Sequence, residues 1–442
     1  MKKVLILAYD FPPYVSVGGL RPKAWLDHFK SQDLEPIVIT RQWSNKHGNF
    51  LDYVDKGESN STLIENLPEG TIIKSAYQPN LSNRLLLKYG ENRFRLIRKI
   101  LTAYFEIFQF ILPIGTKRGL YQAANEYLSK NKVDCIIATG DPFVLFKYAK
   151  QLSSKYQTPW IADYRDPWSH DYENNGTFFE KKWNRFWEKR IVSSANAVVT
   201  VSDLLKVKIE DLTLQKNIRI IPNGYDSEAM AKVKEIKQNS DVLRIGFAGS
   251  IFFWNPIDSF LETMVSFIKT NPNQLIELHF YGVNIEDELK DKIVSKYPEL
   301  LDSTFIFPRI PNPELLEKLA ACNVLLLFNH FSILGTKIFD YMGLKRKILL
   351  CFTADKKAEE LKSTYFPLKA VESQSNKLQE ELIKLTNSGV AIINSAHLGQ
   401  VLAELAQEFA INRAIQCHSK NTENYSRKIQ VEKFAELIKT LC

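Results

Sequence analysis

Residues 335–342, GTKIFDYM, set a lysine and a carboxylate three positions apart behind a glycine and a threonine. VLLLF at 324–328 precedes them and ILLCF at 348–352 follows. Short continuous apolar runs of this kind mark strands buried on both faces. Ile338, Phe339, Tyr341, Met342 and Leu344 can cover the inner side of a helix between the two runs. The unit reads strand, loop, helix, strand. Ser332, Gly335, Thr336 and Lys337 then stand at a helix N-terminus beyond the carboxyl end of a parallel strand, where open α/β sheets take their ligands. Free backbone N–H groups and the helix dipole favour an anion there, typically phosphate. Lys337 adds a full positive charge, and Asp340 can accept hydrogen bonds from a sugar hydroxyl. The bland alternative is a capped surface helix with a solvated lysine.

The elements that must position such a site alternate along the whole chain. An apolar run at 4–8 leads into a loop at 9–19 containing Pro12, Pro13, Gly18 and Gly19, then a helix at about 21–31 and a strand at 36–40. The loop lacks G-x-G-x-x-G, so no dinucleotide fingerprint is present. Its paired glycines would let the backbone approach a ligand closely, or simply make a turn with positive φ. Further strands are expected at 71–76, 134–139, 160–163, 197–201 and 218–222, and in the second half at 243–248, 276–281 and 304–307. Asp10 and Asp163 end strands, at the edge where open α/β sheets take their ligands. The loop YRDPWSHD carries Arg165, Asp166 and His170; the first two make either a site or a structural salt bridge, and a lone loop histidine is commonly solvated. Gly249 and Ser250 follow the strand at 243–248, and Gly282 follows that at 276–281. Strands alternating with helices in both halves imply two Rossmann-like parallel-sheet α/β domains facing across a cleft.

Length agrees, since 442 residues exceed one ordinary core. The turn PNGYD at 222–226 and the polar stretch after it place the boundary near 235. The expected division is 1–235, 236–410, and a helical segment 411–442 that packs back on the first domain. Five scattered cysteines show neither a disulfide framework nor zinc spacing, which fits a reducing cytoplasm. The opening MKKVLILAYDFPP has too short an apolar run for a signal peptide and reads as a first strand. A net charge of +8 permits an anionic partner without naming one. Residues 81–120 hold eight Lys/Arg around ILTAYFEIFQFILPIG. They form either a helix that lies on an anionic membrane or a core helix with a basic flank.

The ordered pieces FPPYVSVGGLRP, TGDPF, DYRDPW, VVTVSD, IIPNGYD, IGFAGS, YG and GTKIFDYMG together resemble the retaining GT-B glycosyltransferases of family 4 over nearly the full length. The resemblance implies a nucleotide-sugar donor held mainly by the C-terminal domain, an acceptor held by the N-terminal one, and no metal or other cofactor. Gly18, Gly19, Gly249, Ser250, Gly282, Gly335 and Thr336 would meet the donor. Lys337 would neutralise its diphosphate, and Asp340 would bind the ribose. Arg165 and Asp166 occupy a position that often reads His-Asp beside the reacting sugar, and Asp10, Asp163 and His170 are the candidates to approach the acceptor. Departures are Ser332 where a glutamate is usual, no basic pair in GSIFFWNP, and Lys345-Arg346-Lys347 for Gly-Lys-Pro. The expected activity is transfer of a hexosyl-type sugar, with retention, to a glycan or lipid-linked acceptor in surface polysaccharide synthesis. The expected location is cytoplasmic or peripheral on the inner membrane, with no nucleic-acid partner. A nucleotide-sugar epimerase and a degenerate sugar-nucleotide-binding protein without turnover are the alternatives.

Overall fold

The computed structural model describes residues 1–14, 16–44, 50–169, 177–331, 333–365 and 377–442. The chain forms two compact units, one chiefly of residues up to Pro222 with Gln430–Cys442, the other of Asn223–Ile429.

In the first unit the chain runs β1 (Lys2–Leu7), α1 (Val17–His28), β2 (Leu34–Arg41), β3 (Leu63–Leu67), β4 (Gly70–Ser75), α2 (Leu81–Tyr89), α3 (Arg95–Phe108) and α4 (Arg118–Lys130). It continues through β5 (Cys135–Gly140), α5 (Val144–Tyr156), β6 (Trp160–Tyr164), α6 (Phe178–Val192), β7 (Ala197–Thr200), α7 (Asp203–Thr213) and β8 (Ile218–Ile220). Among the described residues these strands make one sheet ordered β3-β4-β2-β1-β5-β6-β7-β8, parallel except for the β3–β4 pair. Strand order reverses at β1, which pairs with β2 on one side and β5 on the other. The loops leaving β1 and β5 therefore part to opposite faces and open a crevice at the carboxyl edge.

The second unit contains α8 (Ser227–Val233), β9 (Leu243–Ala248), α9 (Ile257–Thr270), β10 (Ile276–Tyr281), α10 (Glu286–Lys296), β11 (Thr304–Phe307), α11 (Asn312–Ala320) and β12 (Val324–Phe328). It closes with α12 (Thr336–Leu344), β13 (Lys347–Cys351), α13 (Lys356–Tyr365), α14 (Leu378–Thr386), β14 (Gly389–Ile392) and α15 (Ser395–Asn412). Its sheet is parallel throughout, ordered β11-β10-β9-β12-β13-β14, and reverses at β9. Two apolar layers cover it. Phe260, Met264, Leu402 and Phe409 pack on one face; Ile338, Tyr341, Met342 and Ile383 pack on the other.

Several expectations shift. The units divide at Pro222, not near 235, because Met230 and Val233 of α8 belong to the core that holds α12. Residues up to Ile429 stay with the second unit. Of the expected 411–442 segment, only the bulk of α16 (Arg427–Leu441) joins the first, where Val431, Phe434 and Ile438 pack with Trp25 and Phe29. Helix α1 begins at Val17, so both glycines of the first loop lie inside its first turn. Strands β3 and β14 were not expected. The former is an exposed edge strand, LIENL, and the latter is four residues long, so neither carries a buried-strand signature.

Candidate functional site

In the second unit the switch point brings together the loops after β9 and β12. Gly249 follows β9 with φ +84°, and a Cβ built on it would stand 2.9 Å from Lys337 Cε. Glycine is thus required twice, by its backbone and by the close approach of the lysine. Lys337 lies in the first turn of α12, donates from Nζ to the Ser250 carbonyl at 3.0 Å, and sits 4.4 Å from the centroid of the Phe247 ring. Burial pushes its ammonium down to about 7. A cation held in this way, already short of water, is an electrostatic donor that needs little reorganisation to meet an anion.

Gly335 is the N-cap of α12 and supplies no side-chain cap, and space beside it is open. The amides of the first turn have no partners within the helix, so they face the same region as Lys337. His330, two residues past β12, packs edge-on to Phe252 with centroids 5.5 Å apart. Burial, reinforced by Lys337, pushes this imidazole down to about 4, so it is neutral at pH 7. Asp340, one turn into α12, has its carboxyl pushed up to about 6 by burial, against the pull of Arg427 at 4.0 Å. Arg427 also faces Asp226 at 3.7 Å. Gly282 has its amide engaged by the Phe307 carbonyl and Gly249 by that of Tyr281, so both N–H groups extend the sheet. Ser332 lies outside the described residues.

The first unit has its own cluster at the carboxyl ends of β1, β5 and β6. Ser16, the N-cap of α1, accepts from the Gly18 amide at 3.0 Å and donates to Asp10 Oδ2 at 2.7 Å. The Gly19 amide bonds the Ser16 carbonyl, so both glycine amides are occupied. Arg165 donates to the carbonyls of Gly140 and Asp141 at 2.9 and 2.8 Å, and its guanidinium rests against Gly18. Burial raises the carboxyls of Asp10 and Asp141, while Arg165 pulls each back down. Asp163 is wholly buried; Arg21 takes one oxygen at 2.9 Å and Thr139 donates to the other at 2.8 Å. It therefore anchors α1 to β6. Asp166 is exposed beside Arg165. His170 lies outside the described residues.

Thus Gly249, Ser250, Gly335, Thr336, Lys337 and Asp340 lie in one unit, and Asp10, Gly18, Gly19, Arg165 and Asp166 in the other. His330 and Arg427 were not among the expected residues. The first could have been found as the polar break FNHF at the end of an apolar run; Arg427 has no local signal linking it to Asp340.

Two α/β units on largely parallel sheets, each with loops gathered at a switch point, give the chain the GT-B fold. Residues 104–229 match Glycosyltransferase Family 4. Sucrose-phosphate synthase from Thermosynechococcus elongatus is similar in structure, with a TM-score of 0.60 and 13% identity over 100% of this chain and 99% of that one. Anabaena HepE in complex with UDP and glucose gives a TM-score of 0.52 and 13% identity over 100% of both chains. A glycosyltransferase from Rickettsia africae gives a TM-score of 0.55 and 14% identity over 100% of this chain and 98% of that one. At such identities the likeness is one of fold. No curated protein matches by sequence.

Proposed function

We propose that the protein is a retaining glycosyltransferase. Its second unit takes a nucleotide-sugar donor, and its first takes a glycan or lipid-linked acceptor of surface polysaccharide synthesis. The observation that carries this is Lys337, held between the Phe247 ring and the Ser250 carbonyl beside the uncapped start of α12. Cleavage of the bond between sugar and diphosphate leaves charge on the phosphate oxygens. A preorganised ammonium and several N–H groups stabilise that charge without a metal, and loss of one such donor costs about 3–4 kcal/mol of barrier. Asp340 accepts from the ribose, and Arg165 with Asp166 lies on the side of the reacting sugar. The work is done on the cytoplasmic side, at or near the inner membrane.

Titrating the protein with UDP, GDP, dTDP and CMP while recording its melting temperature tests the donor site. The matching nucleotide at a hundred times its Kd adds about 2.7 kcal/mol of stability. Lys337→Ala should abolish that gain, and the anomeric configuration of the product should match that of the donor. If no nucleotide stabilises the wild type, or if the variant gains as much, the reading fails. Ser332, where a carboxylate is usual, favours a second reading of binding without turnover. Stabilisation by a nucleotide sugar with neither transfer nor hydrolysis would select it.

A further inference from the structure

Strand β12 ends at Phe328, and the three residues after it are fixed from several sides. Asn329 is buried; its amide donates to the Cys351 carbonyl at 2.8 Å, and its Nδ2 to that of Phe352 at 3.1 Å. Its Oδ1 accepts from the Phe331 amide at 2.8 Å, and Phe331 is held at φ +55°, which a bulky side chain seldom adopts. Strain of this kind persists where the surrounding contacts over-determine it, as at ligand sites. Between the two, the His330 amide donates at 2.7 Å to Oε1 of Gln379, a buried residue of α14.

The imidazole is held as firmly as its backbone. It packs edge-on to Phe252, a ring itself stacked on Trp254 with centroids 4.6 Å apart. The loop that carries Phe252 is tied by its amide to Asn255 Oδ1 and by that of Ile251 to Asn284 Oδ1, each at 2.8 Å. Yet neither nitrogen of the His330 ring has a hydrogen-bond partner among the described residues. A ring fixed in place with both nitrogens open is preorganised for a ligand.

Position and chemistry narrow that ligand. His330 stands at the strand end that also leads to Lys337, and the two groups sense each other electrostatically. A donor's phosphate and sugar share a bond, so a group beside the phosphate site faces either the ribose or the sugar. Asp340, a turn into α12, takes the ribose in the proposed reading. An imidazolium would suit the phosphate, but burial and Lys337 disfavour that form. The neutral ring offers one N–H and one lone pair. A sugar hydroxyl, which donates and accepts, can use either; an ionised phosphate oxygen can only accept.

We infer that His330 is a specificity-determining residue of the donor site and hydrogen-bonds a hydroxyl of the transferred sugar. The inference rests on the proposed donor reading and adds the group that reads the sugar.

Calorimetric titration of the full chain tests it, with UDP and UDP-glucose, GDP and GDP-mannose, and dTDP and dTDP-glucose. His330→Phe keeps a ring against Phe252 and removes both nitrogens. It should weaken the nucleotide sugar that binds by about threefold to tenfold, the size of one neutral hydrogen bond, and leave its bare nucleotide within about twofold. His330→Ala repeats the measurement should the larger ring not fit, and melting temperatures report whether each variant folds. His330→Gln, again with one donor and one acceptor, should recover part of the loss. Deoxy forms of the bound sugar complete the cycle: wild type should lose a similar factor for one of them, and His330→Phe should lose nothing more with that form. Equal weakening of nucleotide and nucleotide sugar would put the ring on the phosphate or base and overturn the inference, as would unchanged binding of both. In either case the wild type still binds its nucleotide and the donor reading stands, whereas a wild type that binds no nucleotide removes both.

Discussion

Gly18 and Arg165 are in direct contact, so close that a Cβ on the glycine would stand 2.1 Å from a guanidinium nitrogen. That nitrogen cannot simply swing away, because its neighbours in the same group are bonded to the carbonyls of Gly140 and Asp141. Gly18→Ala should therefore expel the side chain and leave the buried Gly140 carbonyl without its partner. An orphaned buried acceptor costs about 1–3 kcal/mol. Urea denaturation of Gly18→Ala, Arg165→Ala and the double variant measures it. The two losses should be strongly non-additive; simple addition would show that the contact carries no energy.

Lys337 predicts an alkaline rise in stability. Its ammonium is pushed down to about 7 by burial in the folded protein, against 10.5 for an unperturbed lysine. Between these values the unfolded chain binds more protons, so stability rises with pH at up to about 1.4 kcal/mol per unit. The cost of burying the charge is fully present below pH 7 and relieved above 10.5. Subtracting the curve of Lys337→Met isolates this component. Parallel wild-type and variant curves from pH 7 to 10 would refute it.

Asp340 has the opposite slope. Its carboxyl titrates near 6 in the fold against 3.8, so the folded state holds the extra proton between those values. Its contribution is most favourable below 3.8 and is lost as pH rises through 6. Asp340→Asn should therefore stabilise the protein by about 1–3 kcal/mol at pH 7.5 and change little below pH 4. The same variant should weaken nucleotide binding if the carboxylate meets the ribose. Stability that falls at pH 7.5 would mean that Arg427 outweighs burial.

Much of this was legible in the chain. VLLLF, ILLCF and LRIGFA announce strands because a parallel sheet covered on both faces needs no polar alternation. The place of Lys337 followed from its position just after a strand, since topology fixes where such a residue lies. What stayed hidden depends on tertiary contact. Nothing near Gly18 in sequence says that Ser16 has already claimed its amide, or that Arg165 fills the space above it. The division at Pro222 was obscured because the polar stretch after α8 resembles a linker, while Met230 and Val233, ahead of it, are core.

Arg21 and Asp163 carry the last prediction. Both are buried, 8% and 0% exposed, and the guanidinium also reaches the Pro222 carbonyl at 3.2 Å, the last residue of its unit before the chain enters the next. Thr139 takes the remaining carboxylate oxygen. A buried pair is weak evidence of net stabilisation, but removing one member strands the other charge, at about 3–5 kcal/mol. Asp163→Ala should therefore unfold at much lower urea than wild type. Arg21→Met combined with Asp163→Leu should recover most of the loss, because no charge is left behind. If Asp163 instead served an acceptor, the double variant would regain stability without regaining transfer. Recovery of both together would assign it to the scaffold alone.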